Sequence, residues 1–158
     1  MSDFKWLPPL LPLSNFDGDW NRYLDALYDV FRGDFLKSQP FLGDRRCGSK
    51  RFPKINGKEG TFWHLISEGR VEGDRLPDMQ RCQRIRWPRL MIEHATEIPT
   101  WTATKNGDSR VHLALPDFSY LVVLADRDTY LLIWTAFCVD RQHRRDKLMR
   151  EYSAAQKD

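Results

Sequence analysis

Cysteine is scarce in this sequence. Cys47, Cys82 and Cys138 are the three in 158 residues, odd in number and far apart. That spacing excludes a disulfide framework and a CxxC metal or redox motif, and a reducing cytoplasm is the compartment it fits. A membrane-spanning run is also missing from the N-terminus. The apolar stretch Trp6–Leu13 holds Pro8, Pro9 and Pro12 and has no basic leader. It is too short to cross a bilayer, so neither a signal peptide nor a membrane segment is expected. Glycine-rich phosphate loops and GxSxG elbows do not occur. The four histidines, His64, His94, His112 and His143, form no HxH or i,i+4 pair and have no carboxylate cluster beside them. No metal site and no cofactor are expected.

Bulky core material is plentiful. Six Trp, nine Phe and a hydrophobic fraction of 41% mark a globular chain, and its length suits one domain. Residues 1–16 read as an extended, proline-rich arm and residues 17–158 as a single α+β domain. The net charge of +3 hides an uneven distribution. Residues 44–58 carry Arg45, Arg46, Lys50, Arg51, Lys54 and Lys58 against Asp44. Residues 141–150 carry Arg141, Arg144, Arg145, Lys147 and Arg150 against Asp146. Each block is either a solvated face or a footprint for a polyanion.

Asp17 or Asp19 is placed to cap a helix that runs to about Phe35, with Trp20, Leu24, Leu27, Tyr28, Phe31 and Phe35 on one face. Residues 38–60 show no periodicity and read as a long loop beginning near Gln39-Pro40. Thr61–Ser67 reads as a strand, bounded by Gly60 and Gly69. Residues 78–95 read as a helix that bends or ends near Arg86, ahead of Pro88. Four strands follow: Thr100–Thr104, a turn at Asn106-Gly107, Arg110–Leu115, Tyr120–Ala125 and Tyr130–Val139. A last helix starts near Asp140, its expected N-cap, and runs to about Ala155. The expected fold is α+β: a four-strand antiparallel meander with N-terminal, middle and C-terminal helices on one side.

The histidines and arginines near the expected sheet edges suit one reaction well, the metal-free cleavage of RNA. A base deprotonates the 2′-hydroxyl, an acid protonates the leaving 5′-oxygen, and cations steady the phosphorane. Histidine serves both proton steps near neutral pH, and arginine grips phosphate with two parallel bonds. His64 is a candidate, or a satisfied structural residue on a partly apolar face. His143 opens the last helix within Asp140–Arg145, where free backbone N–H groups and arginines together favour an anion; an ordinary exposed turn is the plainer alternative. Arg81 and Arg84 share a side of the second helix, as do Arg86 and Arg89. Thr135 either satisfies the backbone or holds a phosphate oxygen. His94 reads as structural. His112 alternates with Val111 and Leu113, faces away from the core side and is held in reserve.

Gly57–Ser67, Arg81–Trp87 and Tyr130–Ala136, followed by His143-Arg144-Arg145 and Glu151-Tyr152, together resemble phage-related small proteins of the barnase–EndoU–colicin–RelE-like nuclease superfamily. The resemblance spans roughly residues 17–155. It implies a RelE/barnase-like fold and a metal-independent endoribonuclease of the toxin type, with RNA as substrate and a cognate antitoxin as a possible partner. The roles it carries over fall on His64, Arg81, Arg84, Thr135, His143 and Arg144. Arg45, Arg46, Lys50, Arg51, Lys54, Lys58, Arg141 and Arg145 are expected to bind the RNA. The alternative is a non-catalytic RNA- or protein-binding module that keeps the fold and the basic blocks.

Overall fold

The structure is a computed structural model that describes residues 4–69 and 75–157. Asp19 accepts a hydrogen bond from the Arg22 amide and starts α1 (Trp20–Phe31), which a π-helical turn, Arg32–Leu36, extends. Leu27, Phe31 and Phe35 of the expected stripe are buried, Trp20, Leu24 and Tyr28 are half-buried, and Tyr23, not among the expected residues, completes a buried row at spacings of four. The arm before α1 ends in a 3₁₀ turn at Leu13–Phe16 and is tied down by its backbone. Tyr23 Oη donates to Leu11 O at 2.7 Å, and Trp87 Nε1 donates to Pro8 O at 2.9 Å. Prolines cannot donate, but their carbonyls accept, and this arm uses them so.

Residues 38–60 are more structured than the expected loop. They form β1 (Phe41–Leu42), β2 (Arg45–Gly48), β3 (Lys54–Ile55) and β4 (Lys58–Glu59), paired as two short antiparallel hairpins. The strand expected at Thr61–Ser67 is instead a helix, α2 (Gly60–Ile66). Gly60, Phe62, Leu65 and Ile66 are its buried positions, with Leu65 and Ile66 three and four residues after Phe62. The Phe62 ring lies 5.1 Å from Tyr28 and 5.6 Å from Phe31. Packing of that aromatic cluster outweighs the β preference of Thr, Phe and Trp, and His64 therefore sits on a helix.

A second short pair, β5 (Ser67–Glu68) with β6 (Leu76–Pro77), leads into α3 (Met79–Gln83) and α4 (Trp87–Glu93). Asp78 caps α3 through the Gln80 and Arg81 amides. The helix expected over 78–95 is thus two helices, and Pro88 sits inside the first turn of the second, where its missing N–H costs nothing.

Then come β7 (Thr100–Lys105), β8 (Asp108–Ala114), β9 (Tyr120–Asp126) and β10 (Leu131–Cys138). Each pairs antiparallel with its sequence neighbour. Asn106 and Gly107 both have positive φ, 54° and 77°, as a tight two-residue hairpin turn demands. The sheet is larger than the four strands expected. β2 adds parallel to β10 and β1 follows, giving the order β1-β2-β10-β9-β8-β7.

One face of this sheet carries Val111, Leu113, Val122, Leu124, Leu131 and Ile133, packed into one core with residues of α1 to α4. The other carries Trp101, Leu121, Val123, Trp134 and Phe137, packed with Leu148, Met149, Tyr152 and Ala155 of α5 (Gln142–Gln156). The helices therefore lie on both faces, not on one. Asp140 is not the cap of α5. Arg141 occupies the N-cap position without a side-chain cap, and Arg145 Nε reaches back to Val139 O at 2.7 Å. Among the described residues, no helix is long and apolar enough to cross a membrane.

Candidate functional site

A one-residue irregularity in β10 shapes the site. Ile133 pairs with Leu124 and Thr135 pairs with Val123, so Trp134 is an extra residue in the ladder. Bulges of this kind redirect a side chain. Here Trp134 and Thr135 line one cleft of about 570 Å³ on the α5 face, together with Lys105, Arg110, His112 and Phe137. Arg110 and His112 are two apart on β8 and therefore point to the same side.

Trp134 is the centre of a cationic cluster. The Arg110 guanidinium carbon is 4.5 Å from its ring centre and the Lys50 ammonium is 5.3 Å away. The His64 ring meets it edge-on, at 6.2 Å and 88°. Arg110 is held in place by Asp108, whose Oδ2 accepts from Nε at 3.0 Å and lies 2.9 Å from Nη2. Arg127 adds a contact of 3.5 Å to the same carboxylate. Thr135 Oγ1 donates to the His64 carbonyl at 3.5 Å, which ties α2 to the open edge of β10.

His112 stacks on Trp101 at 5.2 Å and 15°, and Trp101 in turn meets Tyr152 of α5 at 5.6 Å. Its Nδ1 is buried, and no hydrogen bond to the described residues reaches it. Burial holds the His112 pKa below the ordinary histidine value, while the nearby Glu151 carboxylate pulls the other way. A smaller cleft of about 170 Å³ adjoins through Leu121 and Phe137 and is lined by Arg144, Lys147 and Glu151. The basic start of α5 thereby borders the Trp134 cleft.

The remaining candidates divide between roles. Arg81 Nη1 donates to the carbonyls of His64 and Ser67, both at 2.8 Å, so it closes the C-terminal end of α2. Its guanidinium also lies 5.5 Å from the Phe137 ring centre. Arg84 and Arg145 line a separate cavity of about 260 Å³ with Trp87 and Tyr120. Arg84 stacks on Trp87 at 5.1 Å and donates to Gln80 O at 3.0 Å. Arg45 is bound to Asp126 at 2.8 Å, and Lys58 sits 5.3 Å from the Tyr28 ring centre. Arg46, Arg51, Lys54, Arg141 and His143 are exposed, the last on the first turn of α5. His94 is structural, stacked on Trp6 at 4.3 Å and paired with Glu97 at 2.7 Å.

Arg110, Asp108 and Trp134 escape a reading of the sequence. The alternation of β8 places Arg110 with His112, but the bulge that turns Trp134 into the cleft has no local signature. Among the described residues, no group of three or more His, Cys, Asp and Glu side chains could hold a metal ion. No protein-family model, curated protein or solved structure matches the chain, so the chemistry of the cleft itself must carry a functional reading.

Proposed function

We propose that this chain is a metal-independent endoribonuclease of the toxin type, with a RelE/barnase-like fold, and that it cuts RNA in the Trp134 cleft. The observation that carries the reading is the gathering of Arg110, Lys50 and His64 around Trp134, with His112 and Thr135 in the same cleft. An aromatic face flanked by cations is what a base and its phosphate require together. The sequential antiparallel pairing of β7 to β10 supports the fold assignment.

In this reading His112, whose pKa burial holds below the ordinary histidine value, takes the proton of the 2′-hydroxyl. The 2′-oxygen forms a bond to phosphorus and the bond from phosphorus to the 5′-oxygen breaks. The products are a 2′,3′-cyclic phosphate and a 5′-hydroxyl. His64, whose ring meets the edge of Trp134, gives its own proton to the leaving oxygen. His143 is the alternative donor, since its neighbour Arg144 borders the adjoining cleft. Arg110, Lys50 and Arg144 offset the phosphorane charge.

Purified chain should cleave labelled RNA in excess EDTA and leave cyclic-phosphate ends. Loss of cleavage in EDTA, restored by magnesium, would contradict the mechanism. One observation favours the second reading, a binding module without chemistry. Arg81 and Arg84, the arginines expected at the phosphate, both donate to backbone carbonyls. Such a module would bind RNA and leave its length unchanged.

A further inference from the structure

Phe52 leaves 76% of its surface in water, more than Leu76 or Phe41. It stands between β2 and β3 with Lys50 and Arg51 before it and Lys54 after it. All three cations are exposed. Lys50 is also the residue whose ammonium lies over Trp134. Two residues of extended chain span about 7 Å at most, so Phe52 stands on the same short basic segment as the lysine that reaches Trp134.

An exposed ring among cations suits three kinds of partner. An apolar patch on a protein would bury the ring only by desolvating Lys50, Arg51 and Lys54, which opposes docking. An anionic bilayer would take ring and cations together, but it needs them at one apex, and Lys50 turns back onto Trp134. A single strand of nucleic acid offers phosphates to the cations and an aromatic face to the ring, and does so at the spacing of successive residues. Trp134, with Arg110 and Lys50 against it, has the same composition, and Lys50 belongs to both groups.

We infer that Phe52 is a base-stacking residue that holds the nucleotide next to the one seated on Trp134, so that the cleft accepts RNA with at least two consecutive unpaired bases. The inference rests on the reading of the Trp134 cleft as an RNA site and adds the subsite that selects the form of the substrate. A base-paired strand has its faces already stacked and cannot offer them to both rings.

The test uses the full chain and 2′-O-methyl hexanucleotides of mixed sequence, followed by fluorescence anisotropy. The blocked 2′-oxygen stops transesterification, so binding is read apart from cleavage. Phe52→Ala should weaken single-strand binding about tenfold or more, the size expected for one stacked base. Phe52→Trp should bind as tightly as the parent. The Phe52→Ala penalty should vanish when the base at one position of the oligonucleotide is replaced by an abasic sugar. A hairpin of the same bases should bind weakly to parent and variant alike. The inference is overturned if Phe52→Ala binds as the parent does, if the parent binds no single strand, or if the penalty survives abasic replacement at every position. It is also overturned if Phe52→Ala abolishes binding to phosphatidylserine vesicles while sparing the oligonucleotide. Failure to cut unmodified RNA is a separate result: it removes the ribonuclease reading and leaves the stacking result standing.

Discussion

His112 and Thr135 lie on one rung of the sheet with Val123 between them. His112 pairs across to Val123 on β9, and Val123 pairs across to Thr135 on β10. Strands about 4.8 Å apart put the two backbone positions roughly 10 Å from each other. A phosphate seated over Val123 would be within reach of a side chain from either end, each forming a hydrogen bond of about 3 Å. The bulge at Trp134 supplies the ring beside that seat, and this rung is where substitutions should be most damaging.

His112→Ala is expected to slow RNA cleavage by about 10²–10⁴, the range for loss of one positioned proton-transfer group. His64→Ala should do the same, with binding to a 2′-O-methyl strand changed far less in both. Initial rates in excess EDTA are the measurement. Full activity of His112→Ala would move the base elsewhere, with His143→Ala the next variant to assay.

The pH dependence follows from the direction of the His112 shift. Burial lowers its pKa, so the neutral, proton-accepting form persists below the ordinary histidine value of about 6.5. The acid limb of the rate profile should therefore have its midpoint below that value and should disappear in His112→Ala. The same shift has a stability sign. The unfolded chain binds the proton more readily than the folded one, so the His112 contribution to stability is present above the unfolded pKa and is lost progressively as pH falls from there through the lower folded pKa. Denaturant midpoints of the parent and of His112→Ala, taken from pH 7 to pH 5, should converge.

Asp34 offers a test away from the cleft. Burial pushes its carboxyl up to about 6, against the pull of Arg89. The folded state then prefers the protonated acid, and its contribution weakens as pH rises through that value. Asp34→Asn should raise stability at pH 7 by on the order of 1–2 kcal/mol and have little effect at pH 4. An unchanged melting temperature at pH 7 would show that Arg89 already neutralises the charge.

Arg81→Ala should act on folding before chemistry. It removes the donor shared by the His64 and Ser67 carbonyls and should cost about 1–3 kcal/mol. Thermal melts should show the loss, and cleavage measured well below the melting temperature should fall only as His64 shifts. By contrast, Lys50→Ala with Lys147→Ala should leave the melt unchanged, weaken RNA binding and reduce its salt slope. A slope equal to that of the parent would remove the two basic blocks from the RNA footprint.

The elements legible in the sequence are those with strong local signatures. The α1 stripe, the cap at Asp19 and the Asn106-Gly107 turn are local, and each lies where expected. Local rules fail where distant packing decides. Thr61–Ser67 has the composition of a strand, yet Phe62, Leu65 and Ile66 are buried at helical spacing against α1 and the sheet. β2 lies in the stretch that reads as loop, and its pairing with β10 is what makes it part of the sheet. The site follows the same division. Thr135 lines the cleft, Lys50 and His64 contact Trp134, and Arg144 lines the adjoining cleft. Arg110 and Trp134 were missed because one takes its place from Asp108 and the other from a bulge. Arg84 and Arg145 carry the expected charge but line a different cavity, where Arg84 lies against Trp87, while Arg145 is turned back by its bond to Val139 O.

The pairing of Cys47 and Gly48 with Leu131 and Leu132 joins segments more than eighty residues apart. Closing so long a loop is slow relative to forming neighbouring hairpins. During synthesis the ribosome delivers Lys50, Phe52 and His64 long before β10, and until β10 exists they have no Trp134 to surround. The cleft comes into being only as the last strand emerges, so under the proposed function a nascent chain would lack the site while its own messenger is being read.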